Sequence, residues 1–323
     1  MSPAPIAMSC GEPSGIGPEL AVDAWRQLRD TIPFAWIGDP DHLPEGTPTK
    51  PIETLRDAAR VAATALPVLP LPFPGPRVPG VPQPTQAAQV VASIARAVDL
   101  ADMGHASAIC TLPIHKKALQ DGAGFAFPGH TEYLADRAGV RHVVMMLASD
   151  TLRVVPATIH IPLAQVHGAL TADLLESCLR ITHDGLVRRF RIAEPRLAVA
   201  GLNPHAGEGG KIGREEIEIL VPVIERLRAE GMEIAGPLSA DTMFHAAARK
   251  SYDVAVAMYH DQALIPIKTL DFDRGVNLTL GLPYIRTSPD HGTALDIAGQ
   301  GKANPSSTIE ALKLAWRLAG GTA

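Results

Sequence analysis

Three histidines stand out for what precedes them. His160 ends the apolar run "LRVVPATIH", His205 closes "RLAVAGLNPH" and His260 follows "DVAVAMY". In open α/β sheets the carboxyl ends of the strands form the ligand crevice. Histidines in these positions, 45 and 55 residues apart, are placed to converge there. Three protein ligands and an open position make the usual catalytic divalent-metal site. Each histidine also has an ordinary reading as a polar residue at a strand end, and the spacing lacks the specificity of an H-E-x-x-H helix.

The neighbours of these histidines add chemistry. "GLNPHAGEGGKIGREE" surrounds His205 with glycine, so its backbone can approach a ligand closely. Asn203 and Glu208 in that stretch are polar candidates to support a ligating imidazole. "MYHDQALIPIK" pairs His260 with Asp261 and sets Lys268 eight residues on. A lysine beside a metal and apolar walls can transfer protons, although a solvated surface lysine is the commoner case. In "PGHTEYLA", His130 and Thr131 precede a helix-like run. They suit an anionic oxygen at a helix N-terminus, or a simple cap.

Two glycine-rich stretches complete the candidates. "SCGEPSGIGPEL", Ser9 to Leu20, has neither the P-loop lysine nor the G-x-G-x-x-G spacing. "TSPDHGTALDIAGQGKANPSST", Thr287 to Thr308, contains "GQGKA", where Ala303 replaces the Ser or Thr that binds magnesium in a P-loop. A loop of that length is usually functional, and Asp296 within it suits a ribose diol.

Short apolar runs alternating with amphipathic stretches must position these residues. "PIAMSC", "PFAWIGD", "ASAICTLP", "VVMMLAS", "LRVVPATIH", "RLAVAGLNPH" and "DVAVAMYHD" read as strands. "GPELAVDAWRQL", "TQAAQVVASIARAVDLADMG", "PLAQVHGALTADLLESCLRITHDGLV", "GREEIEILVPVIERLRAEG", "ADTMFHAAAR" and "SSTIEALKLAWRLAG" read as helices, the last capped by Ser306 or Ser307. This alternation predicts an α/β protein with a mostly parallel sheet. Eight prolines between Pro67 and Pro84 predict a rigid surface connector or edge segment there.

Composition bounds the rest. With 323 residues, two domains or lobes are expected. Hydrophobic residues make up 46% and aromatics only 4%, which disfavours β-sandwiches and barrels. A net charge of −5 without a basic stripe argues against nucleic acid. The three cysteines lack C-x-x-C spacing, which fits a reducing cytoplasm. Neither a signal peptide nor a membrane span is recognisable.

Six motifs in order, "GEPSGIGPE", "PGHTEYLA", "GLNPHAGEGGKIGREE", "GPLSADTMF", "MYHDQALIPIK" and "TSPDHGTALDIAGQGKANPSS", resemble the 4-hydroxythreonine-4-phosphate dehydrogenase family of vitamin B6 biosynthesis. Two of them also resemble loops of the isocitrate and isopropylmalate dehydrogenases. The resemblance implies that fold: a two-lobed α/β/α subunit in a homodimer, with the active site at the cleft and the subunit interface. Residues 1–125 with 286–323 would form the cofactor-side lobe, and 126–285 the metal, substrate and dimerisation lobe. His160 and His205 of one subunit and His260 of the other would hold a divalent metal (zinc, magnesium or cobalt). His130, Thr131, Lys268, Asn277 and Arg286 would bind substrate. Gly15 and Gly17, with His291, Gly292, Asp296 and Asn304, would hold NAD, Asp296 favouring it over NADP. Lys268 is the candidate base, with Asp241 and Asp261 tuning the metal or relaying protons.

The implied reaction is oxidation of 4-phosphohydroxy-L-threonine to a β-keto acid, which decarboxylates to 3-amino-2-oxopropyl phosphate. Where many relatives read "GDPAGIGPE", this chain has Glu12 and Ser14. Such departures leave room for a paralogue acting on threonate or erythronate 4-phosphate, or on a dihydrodiol. A metal-dependent phosphohydrolase and a non-catalytic sugar-phosphate binder are the competing classes.

Overall fold

A computed structural model describes residues 2–322. The chain divides into two compact units, residues 1–141 with 282–323, and residues 142–281. The first begins with β1 (Ile6–Ser9), α1 (Gly17–Leu28), β2 (Phe34–Gly38), β3 (Thr49–Pro51), α2 (Ala58–Val61) and β4 (Leu66–Pro70). It continues with α3 (Ala87–Asp102), β5 (Ile109–Thr111), α4 (Lys116–Ala123) and α5 (His130–Arg137). The second holds β6 (Val144–Ala148), β7 (Arg153–Pro156), α6 (Leu163–Ala169), α7 (Ala172–Arg188), β8 (Arg196–Ala200) and α8 (Val221–Ala229), then β9 (Glu233–Leu238), β10 (Val254–Ala257), α9 (His260–Asp271) and β11 (Val276–Leu280). The chain returns to the first unit with β12 (Arg286–Pro289) and α10 (Ser306–Leu318).

The strands of the first unit run in the order β3-β4-β2-β1-β5-β12, and every pairing is parallel. The chain builds outward from β1 on one side, then crosses to β5 on the other. The loops after β1 and β5 therefore flank a topological switch point, where such sheets bind ligands. The strands are buried along nearly their whole length, which explains their continuous apolar runs. Helix α1 forms as the sequence implies, with Pro18 in its first turn and Leu20, Ala21, Ala24 and Trp25 buried.

The second unit has the order β11-β6-β7-β10-β8-β9. β6 is antiparallel to both neighbours, while β7, β10, β8 and β9 pair in parallel. Its core gathers Leu147, Val154, Ala198, Ala255, Leu264 and Ile267 from strands and α9. The α/β class read from the sequence is the class observed.

Local structure departs from the sequence reading in four places. The proline-rich run starts as an interior strand, not a connector, since β4 pairs with β3 and β2. Leu66 donates to Pro48 and Val68 accepts from Ile52 on the β3 side, whereas Leu71 donates to Gly38 on the β2 side. By alternation Pro67 faces β2 before that ladder begins and Pro70 faces β3 after that ladder ends, so neither missing N–H is needed. The helix expected over "PLAQVHGALTADLLESCLRITHDGLV" is two, divided where Thr171 caps α7 by accepting from the Leu174 amide at 3.2 Å. "ADTMFHAAAR" forms only 3₁₀ turns. There Ser239, Thr242 and His245 bond locally and compete with a helix. At α10 neither Ser306 nor Ser307 is the cap; Asn304 Oδ1 accepts from the Ser306 amide at 3.0 Å.

Candidate active site

The second unit places His160, His260 and His205 after the carboxyl ends of β7, β10 and β8, three adjacent strands. Thr158 ties the first two loops together. Its amide and hydroxyl both donate to the Met258 carbonyl, at 3.2 and 2.7 Å. The His160 and His260 rings lie 5.7 Å apart. They line a recess of about 330 Å³ with Thr158, Tyr259 and Asp261. His260 Nδ1 is 2.7 Å from Asp261 Oδ1, a carboxylate contact that orients an imidazole. Gln262 spans to the third strand, with Nε2 donating to the Gly201 carbonyl at 2.8 Å and Oε1 accepting from Met258 at 2.7 Å.

His205 sits in an unusual turn. His205, Ala206, Gly207, Glu208 and Gly209 all have positive φ, between 45° and 78°. Each non-glycine residue in this left-handed conformation costs about 1–2 kcal/mol. Two carboxylates brace the turn from outside. Glu216, 2% exposed, accepts from the Asn203 amide at 2.8 Å and its side-chain Nδ2 at 3.0 Å. Glu215 accepts from the same Nδ2 at 2.7 Å and contacts His167 at 2.7 Å. Those bonds, with its own backbone the largest contributor, pull its pKa down to about 2. Gly207 is required because a Cβ there would lie 2.6 Å from Glu216 Oε2. His160 also has a positive φ, 47°, so two of the three histidines hold backbone strain of the kind found at functional sites.

The structure brings His160 and His260 together, whereas His205 stands near Glu208 (3.6 Å) and influences Asp241. The Ser239 hydroxyl holds Asp241 below the usual carboxylate range. Among the described residues no three His, Cys, Asp or Glu side chains group closely enough to hold an ion. Lys268 lies on α9, with Nζ 5.9 Å from the Phe272 ring centroid. Asn277, on β11, is half-buried and its Oδ1 lacks a hydrogen-bond partner.

The first unit gathers groups suited to an anion. His130 opens α5 after the extended Gly129, and Thr131 follows in the same turn. Arg286 on β12 is 3% exposed and donates twice to Thr111 Oγ1, at 3.1 and 2.8 Å. Burial lowers its pKa to about 10. Burial also drives His130 well below its ordinary value of 6.5, helped by the charges of Arg286 and Lys116. His130 Nε2 is out of solvent without a hydrogen-bond partner. A neutral imidazole beside two cations is a setting that an anionic oxygen would complete. Lys116 and Thr111 were missed from sequence; the signal was "CTLPIHKK", a strand running into a basic helix start.

The two glycine stretches meet in this unit. The Ile16 amide donates to the Thr293 carbonyl at 3.0 Å, and a Cβ on Gly15 would sit 2.7 Å from that oxygen. A Cβ on Gly17 would sit 2.9 Å from the Cys10 carbonyl. These glycines thus allow loop to pack on loop. Glu19 of α1 accepts from the amides of Gly299 and Gly301, so "GQGKA" holds an internal carboxylate. Gly292 faces open space, Asp296 is exposed, and Asn304 accepts from the Ser306 amide just before α10. His291 Nε2 is buried without a partner, and burial lowers the pKa of its ring.

Comparison with known proteins identifies the class as dehydrogenases of pyridoxal phosphate biosynthesis. Residues 31–315 match the family described as pyridoxal phosphate biosynthetic protein PdxA. The chain is 61% identical to 4-hydroxythreonine-4-phosphate dehydrogenase of Ruegeria sp. (strain TM1040), covering 98% of each. It superposes on the crystal structure of that enzyme from Klebsiella pneumoniae with a TM-score of 0.87, at 37% identity over 98% of this chain and 99% of the other. A terephthalate 1,2-cis-dihydrodiol dehydrogenase from Burkholderia xenovorans LB400 is more distant, with a TM-score of 0.67 at 29% identity over 99% of each chain. The chain belongs to the 4-hydroxythreonine-4-phosphate dehydrogenase family and is an enzyme of that kind.

Proposed function

We propose that the protein oxidises 4-phosphohydroxy-L-threonine with NAD⁺ and a divalent metal, and that the β-keto acid formed loses CO₂ to give 3-amino-2-oxopropyl phosphate. One observation carries this reading. His130 Nε2, Asn277 Oδ1 and His291 Nε2 are three of the twelve buried side-chain polar atoms without partners among the described residues, the kind of atom that a bound ligand satisfies. They fall on residues that the family resemblance assigns to substrate and cofactor.

His130, Thr131 and Arg286 bind the phosphate, and Lys268 and Asn277 bind the rest of the substrate. Lys268 takes the hydroxyl proton. His160 and His205 of one subunit would hold the metal together with His260 of the other, Asp261 would fix the His260 ring, and Asp241 would add negative charge near His205. Imidazole donors suit zinc or cobalt better than magnesium. Gly15, Gly17, His291, Gly292, Asp296 and Asn304 form the NAD loops. When bound, the metal supplies polarisation of the substrate oxygen and NAD⁺ supplies the hydride acceptor. The buried Arg286 and the Lys116 charge favour a phosphorylated substrate over a dihydrodiol.

A homodimer is supported by apolar side chains left in solvent on the second unit, among them Leu163, Ile265 and Phe272, 69%, 62% and 73% exposed. Three buried free cysteines fit a cytoplasmic setting, and no helix among the described residues is long and apolar enough to cross a membrane. The test is NADH formation from 4-phosphohydroxy-threonine against threonate and erythronate 4-phosphates, before and after chelation. NADH from the first alone, lost on chelation and restored by added metal, is expected. Phosphate release without NADH would replace this reading with a hydrolase.

A further inference from the structure

The proline-rich segment after β4 has no part in the function described so far. It rises from the sheet at Pro70 and reaches α3 through residues 71–86. It is anchored at its start, where the Phe73 amide donates to Asp39 Oδ2 at 2.9 Å and its ring packs edge-on to His42 at 4.9 Å. Gln86 holds its middle by donating to the carbonyls of Gly75 and Pro76, both at 3.2 Å. Between these anchors it touches both glycine loops. The Gly80 amide donates to the Ser14 carbonyl at 2.8 Å, and Ser14 Oγ donates to the Val81 carbonyl at 2.9 Å. On the other loop, a Cβ on Gly299 would lie 3.0 Å from Pro79 Cβ, and one on Gly80 would lie 3.0 Å from the Leu295 carbonyl. Arg77 reaches the residue joining the two loops, with Nη2 3.7 Å from Glu19 Oε1 and Nη1 donating to the His42 carbonyl at 2.9 Å.

We propose that residues 71–84 are a strap that pre-organises the NAD cradle, with Ser14 and Arg77 as its positioning residues. This rests on the NAD reading given above. Glycine-rich loops have much freedom to lose on binding, and fixing them beforehand raises affinity by removing that cost. Proline density suits the strap, because a chain with few unfolded conformations holds its shape cheaply. Ser14 is completely buried, and its hydroxyl faces the strap rather than a ligand. Its effect therefore belongs in cofactor affinity and not in the chemical step.

The test uses full-length Ser14→Ala and Arg77→Gln. Hydrogen exchange of the Gly80, Gly299 and Gly301 amides is read without cofactor, and NAD affinity, KM and kcat are then measured. Slow exchange at all three amides is expected in the parent protein. Ser14→Ala should speed exchange at Gly80 and weaken NAD binding about fivefold, the factor one ordinary hydrogen bond supplies. The kcat and the KM for substrate should stay within about twofold. Unchanged NAD affinity in both variants would overturn the strap while leaving the function intact. A parent protein that binds no NAD, with the same three amides protected, would overturn the function reading and with it the ligand assigned here.

Discussion

His130 ties the chemistry of the site to the stability of the fold. Burial, then Arg286 and Lys116, set its folded pKa well below 6.5, while the unfolded chain titrates near that ordinary value. As pH falls below 6.5 the unfolded state takes up a proton that the folded state refuses, so the folded state loses stability through that window. His42 and His291, also lowered by burial, act in the same direction. His130→Gln should therefore flatten part of the acid-side fall in urea midpoint below pH 6.5. Identical slopes would show that His130 titrates normally. At this scale the sequence was informative where chemistry follows a strand: His160, His205 and His260 all come after adjacent strand ends. Arg286 is named only through the family resemblance, since in "PYIRTSPD" its residue type and spacing say nothing of the burial that β12 imposes.

Among the elements, the left-handed turn at His205 is the least self-sufficient. It holds three non-glycine residues against their backbone preference, and Glu216 braces it through Asn203. Glu216→Ala leaves the half-buried Asn203 amide without its acceptor, while Nδ2 keeps Glu215, and should cost about 2 kcal/mol in chemical denaturation. It should also weaken cobalt binding to the apoprotein, read from the visible spectrum. Full stability with unchanged cobalt affinity would show that the turn holds itself. Periodicity made α1, α3 and the main strands legible, because their apolar residues repeat with the period of the element. It could not reveal the turn, since left-handed backbone leaves no hydrophobic period and only the glycines of "HAGEGG" hinted at it. The prolines of β4 misled for a different reason. Proline is excluded from a strand only where its N–H would face a ladder, and the register that decides this is set by β2 and β3.

For the whole molecule, the grouping of the three histidines makes the sharpest claim. Within one chain His160 pairs with His260, while the proposed site draws His260 from the partner. His205→Ala and His260→Ala should each be inactive as homodimers. Mixed after reversible dissociation they should recover about a quarter of wild-type turnover, because half the dimers are hybrid and each hybrid keeps one complete site. No recovery in verified hybrids would place all the ligands within one chain. The order of the chain has a further consequence, for synthesis. Residues 142–281 form a unit of their own, interrupting the other, and Glu19 waits for Gly299 and Gly301, made 280 and 282 residues later. On the ribosome the unit that bears His160, His205 and His260 can close its core while the proposed nucleotide cradle still lacks one wall. The nascent chain thus completes the three histidines proposed as metal ligands before the loops proposed to hold a dinucleotide can meet.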